Sequence, residues 1–330
     1  MKFGIFSVVD HYPTELPRTS GQFYEELLEQ VQAAEECGFD SFWVAEHHFH
    51  EYGGIPAPPI WMAAAAQRTR RIRLGSAVVV LPFDNPLRAA EDYAMVDILS
   101  GGRLNLGTGS GYLKHEFEGF GIDVEEKRER FDEALDILLK AWAGERFSYE
   151  GKYHRVKDVQ LNVLPLQKPH PPVWIATLRA DRAPGIGAKG FPVMLIPYAS
   201  AETLEEIARG VRAYKEAFVK AGGRPADATV PFGLHCHCAP TTAQARAEAR
   251  EHMDRYVRTR LYAVQRPFET LVEQNVVAIG DPEEVVRVAR LYEAAGLTHF
   301  LAIPNFGGLE GKKVLRSMEL MATHVFPAFR

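Results

Sequence analysis

Acid–base chemistry is available to this chain in one short segment, Glu46-His47-His48, which places three titratable groups in a row. Histidine has a reference pKa near ~6.5, which suits proton transfer at neutral pH. Adjacent residues of a strand point to opposite faces, so His47 and His48 are not expected to bind one metal ion together. We therefore expect one functional ring and one packing ring.

A second pair of histidines, His235 and His237, alternates with Cys236 and Cys238. On a strand this spacing puts both imidazoles on one face and both thiols on the other. An H-x-H pair inside a barrel can bind zinc, but no third ligand stands out elsewhere in the chain. We favour a pair that faces a substrate and no metal site, while a packing role stays open.

The glycine-rich segment 107–111 (Gly-Thr-Gly-Ser-Gly) exposes backbone N–H groups near a turn, where an anion can be held. Its spacing differs from the G-x-G-x-x-G dinucleotide fingerprint, and no G-x-x-x-x-G-K-[ST] motif occurs in the chain. The sequence therefore excludes a Rossmann-type nicotinamide site and P-loop chemistry. An ordinary tight loop is the alternative interpretation of this segment.

Strand-like and helix-like segments alternate along the chain, and Gly38, Gly190, Gly222 and Gly296 stand where helices should end. Eight such units favour a TIM (β/α)8 barrel, predicted as a single domain over residues 1–330 because no Pro/Gly/Ser linker divides it. The predicted strands are 3–9, 41–46, 72–81, 103–107, 173–177, 192–197, 230–239 and 298–304. The predicted helices are 22–37, 60–69, 87–99, 125–143, 182–189, 201–221, 283–295 and 312–324.

Two stretches interrupt the alternation. Residues 146–156 are predicted to form a β-hairpin around Glu150-Gly151, and residues 241–275 insert a helix and a loop between strand seven and its helix. That insertion is either a lid over an active site or an inert elaboration. Barrel enzymes work where the carboxyl ends of the strands meet. The polar segments 45–49, 82–86, 107–112, 177–181 and 305–308 all fall at those ends.

Composition limits the partners and the compartment. A net charge of −5 gives no general attraction to nucleic acid or to anionic membranes. The longest apolar run is far below the ~18 residues that a membrane helix needs. Three cysteines, an odd number, are typical of free thiols in a reducing compartment. We expect a cytoplasmic protein that binds neither nucleic acid nor membrane.

Several segments together resemble the bacterial luciferase-like, flavin-dependent monooxygenases (the alkanal monooxygenase type). The similarity is carried by Gly-Phe-Asp-Ser-Phe-Trp-Val-Ala-Glu-His-His-Phe at 38–49 and by Ser-Gly-Gly-Arg-Leu-Asn-Leu-Gly-Thr-Gly-Ser-Gly-Tyr at 100–112. Further matching segments are 74–82, 85–88, 91–92, 116–121, 128–135, 280–285 and 305–309. The resemblance covers nearly the whole chain.

The resemblance implies FMN across the carboxyl-terminal mouth of the barrel. It also implies a non-proline cis peptide at Ala77-Val78, and phosphate contacts from Ser110, Gly111, Arg128 and residues 177–179. Luciferase has Arg at the position of Ser110, so Arg128 or Arg179 must take over that charge. The residues implied in cofactor binding are Ala77, Val78, Asn85, Ser110, Gly111, Tyr112, Arg128, Thr177, Leu178 and Arg179.

The implied reaction inserts one oxygen atom of O2 into a small organic substrate through a flavin C4a-peroxide. His47 is assigned the proton transfer, tuned by Glu46 or His48, and His235 and His237 are assigned to the substrate pocket. Sulfonate-oxidising relatives carry Arg where His235 stands, which disfavours a strongly anionic substrate. Without a nicotinamide fingerprint, the chain is expected to receive reduced flavin (FMNH2) from a separate NAD(P)H:flavin reductase.

Three other functions remain open, namely F420-dependent oxidoreduction, flavin binding without catalysis, and zinc-dependent hydrolysis on His235 and His237. F420-dependent relatives usually have Asp-His where this chain has Glu46-His47-His48, and the intact triplet also disfavours a non-catalytic binder. We further expect a homodimer through the second and third helices. Residues 60–66 (Ile-Trp-Met-Ala-Ala-Ala-Ala) are apolar on every side, and the family pairs its subunits through these helices.

Overall fold

Eight parallel strands close into a barrel in the computed structural model of this chain, which describes residues 1–197, 202–261 and 264–330. Around the barrel the order is β1-β2-β3-β4-β7-β8-β9-β11, and β11 pairs with β1 to close it. The strands of the chain are β1 Lys2–Ser7, β2 Ser41–Val44, β3 Arg73–Val80, β4 Leu104–Gly109, β5 Phe147–Glu150, β6 Arg155–Val159, β7 Val173–Thr177, β8 Val193–Leu195, β9 Pro231–Cys238, β10 Val277–Gly280 and β11 His299–Ile303. The predicted TIM barrel is confirmed, and each predicted strand overlaps a barrel strand.

Helices follow the barrel strands and cover the outside of the sheet. Two of them begin at side-chain caps: Thr19 forms a capping box with Gln22, and Asp281 caps the helix that begins at Pro282. The helices are α1 Ser20–Cys37, α2 Pro58–Arg68, α3 Pro86–Leu99, α4 Lys114–Phe120, α5 Lys127–Trp142, α6 Ala183–Ala188, α7 Leu204–Lys220, α8 Thr242–Thr259, α9 Phe268–Glu273, α10 Pro282–Ala294 and α11 Gly311–Leu320. Residue 201, where a helix was predicted to begin, lies outside the described residues.

The helix predicted at 125–143 is only part of the connection after β4. The structure adds α4, which ends at Gly121 in a left-handed conformation, and a short 3-10 turn at Val124–Glu126 before α5 begins. A seven-residue helix is too short to show a helical period in sequence, which explains why α4 was missed. α4 matters because it brings Glu116 to the barrel mouth.

The hairpin predicted around Glu150 and Gly151 is confirmed as the antiparallel pair of β5 and β6. Its turn is held from outside, because the buried Glu133 carboxylate of α5 accepts the backbone N–H groups of Lys152, Tyr153 and His154. A carboxylate that accepts several backbone donors fixes a turn without regular pairing. The hairpin therefore packs against α5 rather than on the barrel mouth.

The insertion between β9 and α10 contains more than the predicted helix and loop. Besides α8 and α9 it adds β10, which pairs with the carboxyl-terminal half of β9, whereas the first half of β9 pairs with β11. β10 is additional to the eight strands of the barrel, so dividing the chain into eight strand–helix units left no strand to assign there. Residues 262 and 263 of the predicted insertion lie outside the described residues.

Candidate active site

One large cavity opens at the carboxyl-terminal end of the barrel, with a volume of about 810 Å³. Its walls come from the ends of β1, β2, β3, β4, β7 and β8 and from the helices that follow β4 and β7. Of the predicted site residues, the cavity is lined by Glu46, His47, Ala77, Val78, Ser110, Gly111, Tyr112, Arg128, Thr177, Leu178 and Arg179. These side chains therefore meet at the carboxyl ends of the barrel strands, as the sequence predicted.

Glycines in the 107–111 segment let the backbone of β4 lie close to β3. A Cβ on Gly107 would lie 2.1 Å from the carbonyl oxygen of Ser76, and Gly111 has φ +73°, a conformation that L side chains rarely adopt. Next to this segment the peptide bond Ala77-Val78 is cis, as the family resemblance implied. Close packing against β3 therefore explains part of the glycine pattern. Residues of both segments line the cavity.

His47 is held in one orientation by Glu116. The Nδ1 atom of His47 lies 3.0 Å from Oε1 of Glu116, and the same oxygen accepts the backbone N–H of His48 at 2.9 Å. Because Oε1 acts as an acceptor, Nδ1 carries the hydrogen and Nε2 is left unprotonated. Burial lowers the pKa of His47, against the opposing effect of the Glu116 hydrogen bond. The ring is therefore neutral at pH 7 and presents a base.

Glu46 and His48 form a second carboxyl–imidazole pair beside the first. Oε1 of Glu46 lies 3.2 Å from Nε2 of His48, and Oε2 faces the backbone N–H of Val80 at 3.4 Å. Burial is the largest cause that raises the pKa of Glu46, to about 7. Glu46 lines the cavity and His48 does not. This agrees with the prediction that neighbouring histidines of this strand end point in different directions.

One end of the cavity carries a concentration of positive charge. Arg179 is paired with Asp181 at 2.5 Å, and Lys189 with Asp132 at 2.8 Å. Three further cations line the same end, and within the described residues none of them has a carboxylate partner: Lys127, Arg128 and Arg182. Such a cluster attracts an anionic group. Sequence reasoning had found only Arg128 and Arg179 of this set.

The inner wall of the cavity is apolar. It is formed by Phe6, Val8, Ile175, Met194 and Ile196, which belong to β1, β7 and β8 or directly follow them. The cavity therefore joins a cationic outer end to an apolar inner end, with His47 and Glu46 on the wall. An apolar wall of this kind keeps water away from a reacting group.

His235 and His237 lie outside this cavity, although both were predicted to face the substrate. Both side chains are fully buried. The ring of His235 packs against Tyr256 and Phe306, and Nε2 of His237 lies 2.8 Å from Glu248 of α8. The physical reason is the inserted helix α8, which covers this end of β9. Within the described residues, no cluster of three or more His, Cys, Asp or Glu side chains could hold a metal ion.

Asn85 is also absent from the lining of the large cavity. Its side chain accepts the backbone N–H groups of Leu87 and Arg88 and so caps α3. Asparagine before Pro at the first helical position is a common way to begin a helix. The structure therefore gives Asn85 a capping role, and its predicted contact with a cofactor has no support in the cavity.

Glu116, Lys127 and Arg182 are the site residues that sequence reasoning missed. Glu116 is 69 positions from His47 in the chain, so no local pattern joins the two. One signal was present, since segment 116–121 belonged to the family resemblance.

None of the helices in the described residues combines the length and the hydropathy needed to cross a membrane.

Comparison with known proteins agrees with this geometry. The profile of the luciferase-like monooxygenases matches residues 1–299. The chain belongs to this family. The crystal structure of the monooxygenase RslO1 from Streptomyces bottropensis superimposes with a TM-score of 0.93 at 32% identity, covering 100% of both chains. The family predicted from segments 38–49 and 100–112 is confirmed.

Two curated relatives show the range of similarity. The chain is 40% identical to the protein y4wF of Sinorhizobium fredii over 61% of its own length, and it spans only 57% of that relative. It is 27% identical to the oxygenase component of a flavin-dependent trigonelline monooxygenase from Acinetobacter baylyi, over 100% of this chain and 96% of the relative.

Proposed function

We propose that this chain is the oxygenase of a two-component, FMN-dependent monooxygenase. The observation that carries the proposal is the cavity itself, which combines three cations that have no carboxylate partner among the described residues with an oriented, neutral His47 on the wall. Membership of the luciferase-like family gives the reaction class. One oxygen atom of O2 goes to the substrate and the other leaves as water.

The residues present fit FMN. An FMN phosphate carries between one and two negative charges at neutral pH, and Lys127, Arg128 and Arg182 offer charge that no carboxylate of the described chain neutralises. The backbone at Ser110 and Gly111 and the Thr177 hydroxyl lie in the same lining. The cis peptide Ala77-Val78 lines the same cavity, where the family resemblance puts the flavin ring. When bound, reduced FMN would supply the two electrons that split O2.

The chain's own groups then have distinct tasks. Glu116 orients His47, whose Nε2 accepts or returns a proton at the reacting centre. The apolar wall at Phe6, Val8 and Met194 excludes water and favours an uncharged substrate. A separate NAD(P)H:flavin reductase supplies the reduced flavin, as the relative described as an oxygenase component suggests for this type of protein.

The choice of cofactor, reduced FMN or F420H2, gives the sharpest test of this proposal. Purified protein with chemically reduced FMN should consume O2 in the presence of apolar ketones, aldehydes, alkenes or thioethers and release a product one oxygen atom heavier by mass spectrometry. Hydride exchange between F420H2 and a substrate, with no O2 consumption, would instead assign the chain to the F420-dependent oxidoreductases.

We predict that Arg128→Ala weakens FMN binding by about ten-fold and leaves riboflavin binding unchanged. The reason is that the lost guanidinium faces the phosphate, which riboflavin lacks. The two dissociation constants are measured by quenching of flavin fluorescence. Arg130→Ala is the matched control, because Arg130 is paired with Glu126 and lies outside the cavity lining. Equal weakening of both ligands would place Arg128 away from the phosphate.

We further propose that the chain forms a homodimer through α2 and α3. In α2, Trp61 and Met62 face the barrel, whereas Ile60 is 75% exposed. Met95, Ile98 and Leu99 of α3 are exposed as well. The two helices contact each other, and exposed apolar side chains on neighbouring helices are typical of an interface. A symmetric dimer would bury on the order of 1,600 Å² in total.

Ile60→Glu is predicted to convert this dimer to a monomer. A charge at the centre of an apolar interface has no partner there and stays solvated only in the monomer. Because Ile60 is exposed in the single chain, its replacement leaves the fold intact. Light scattering at micromolar concentration measures the mass. Val219→Glu on α7 is the control, and a wild-type monomer would contradict the proposal.

A further inference from the structure

The pair of Glu46 and His48 joins the cavity to solvent outside the cavity mouth. We propose that these two side chains form a proton-exchange path, so that protons enter and leave the cavity while its mouth is covered by a bound flavin. This inference rests on the proposed function, because it takes the cavity to be the flavin site. It separates proton exchange with solvent from the proton transfer assigned to His47.

The inner end of the path is Glu46. Its carboxyl group is buried, lines the cavity, and makes its shortest side-chain contact with Nε2 of His48 at 3.2 Å. Its second oxygen faces the backbone N–H of Val80, on the strand that carries the Ala77-Val78 peptide. A proton on this carboxyl group is therefore placed between the cavity and one imidazole.

The outer end of the path is His48. The ring does not line the cavity, 11% of the side chain is exposed, and Nδ1 makes no hydrogen bond within the described residues. Its neighbours are the rings of Phe49, Phe83 and Phe120, at centroid distances of 5.7, 5.8 and 4.8 Å. Phe49 and Phe120 are themselves exposed. These rings surround much of the imidazole, and its exposed part is in contact with solvent.

The charges around the pair keep the Glu46 proton exchangeable near neutral pH. Burial, and after it the charge of Asp84, raise the pKa of Glu46, the His48 hydrogen bond lowers it, and the resulting pKa is about 7. Tyr93 also faces Glu46, and Asp84 faces His48. A group with a pKa near the working pH holds and releases a proton with little cost in either direction.

Proton balance along the path is simple. When the Glu46 carboxyl group gives a proton to the cavity, His48 gives its Nε2 proton to Glu46 and takes another from solvent at Nδ1, and rotation of the ring then restores a protonated nitrogen facing Glu46. The reverse order removes a proton from the cavity. The His47–Glu116 pair cannot take this role, because both of its side chains line the cavity and its link to His48 is through a backbone N–H.

The first measurement uses the flavin-free protein. The carboxylic acid stretch of Glu46 is followed by infrared difference spectroscopy across pH and assigned by its loss in Glu46→Gln. We expect a midpoint near 7 in the wild type, as for its pKa. In His48→Phe, whose ring suits the aromatic surroundings, the midpoint should move to higher pH because the hydrogen bond that lowers it is gone. An unmoved midpoint overturns the pairing.

The second measurement is turnover with reduced FMN and O2. We expect His48→Phe and His48→Ala each to lose roughly 10- to 100-fold in rate. Imidazole in the buffer should restore much of the rate of His48→Ala, which leaves space for it, while Glu46→Gln should not respond to imidazole. His50→Gln is the control, because His50 is close to His48 in sequence and does not line the cavity. Wild-type turnover in His48→Phe, or a loss in His48→Ala that imidazole leaves unchanged, overturns the path.

The two measurements separate this inference from the proposed function. If the wild type shows no O2 consumption with reduced FMN, the proposed function fails, and the infrared midpoints decide the Glu46–His48 pair on their own. If the wild type turns over and the His48→Ala defect is not rescued by imidazole, the proposed function stands and the path fails. His48→Gln, which keeps a donor to Glu46, checks that the defect in His48→Phe is not one of folding.

Discussion

His47→Ala is expected to reduce product formation by about 10²- to 10⁴-fold while FMN binding stays within two- to three-fold of the wild type. The ring is the group of the cavity wall whose nitrogen is both oriented and unprotonated, because Glu116 holds Nδ1 and burial lowers the pKa of the imidazole. Rates with reduced FMN measure the first effect, and flavin fluorescence measures the second. Unchanged turnover would remove His47 from the mechanism.

Glu116→Gln separates orientation from proton transfer in the same test. The amide keeps a hydrogen bond to His47 but loses the charge that raises the pKa of the ring, so the lower limb of the pH–rate profile should move to more acidic pH. The loss in rate should be smaller than in His47→Ala. A profile that stays in place would show that Glu116 has only a packing role.

Arg260→Met is expected to lower the free energy of unfolding by about 3–5 kcal/mol. Arg260 ends α8 and pairs with Asp10 at 2.7 Å; the Asp10 side chain is fully buried and that of Arg260 is 8% exposed. The rings of Tyr52 and Tyr256 lie over the guanidinium group at 4.2 Å each. Removing one partner leaves the Asp10 carboxylate buried without its counter-charge, which is the costly outcome. Urea unfolding followed by circular dichroism measures the change.

The double variant Asp10→Asn/Arg260→Met is the internal control for this prediction. Replacing both charges removes the unpaired carboxylate, so a large part of the lost stability should return. Arg258→Met is the matched surface control, because Arg258 meets Glu15 with 65% of its side chain exposed and should change stability by under about 1 kcal/mol. Additive losses in the double variant would show that the pair is not coupled.

This ion pair also bears on the insertion at 241–275, for which lid and inert elaboration were both open. The carboxyl-terminal half of α8 is tied to the loop after β1 by Arg260–Asp10 and to the loop after β11 by Arg255 and His252, which both contact the carbonyl oxygen of Gly307. Because these contacts fix α8 to two loops at the carboxyl-terminal end of the barrel, α8 is a fixed part of the fold that covers β9. Its burial of His235 and His237 follows from that position.

Local patterns in the sequence were enough to predict the barrel and the position of the site. Alternating strand and helix signals depend on neighbours a few positions apart, so they predicted the eight barrel strands and the hairpin at 146–156. The seven residues of α4 are too few to show a helical period, and β10 is additional to the eight strand–helix units, so both elements were missed. Glu46, His47 and the 107–111 segment were found because polar and glycine residues at strand ends have a known meaning in this fold.

The burial, the hydrogen-bond partners and the pKa of each site residue depend on contacts between residues far apart in the chain. Glu116 meets His47 across 69 positions, and Arg260 meets Asp10 across 250. The sequence also identified His235 and His237 by type and spacing, yet their burial depends on a helix that begins after the strand and folds back over it. Residue type and period determine which side chains can do chemistry. Burial, hydrogen-bond partners and therefore pKa arise only when distant segments pack together, because each is a property of the surroundings and not of the residue.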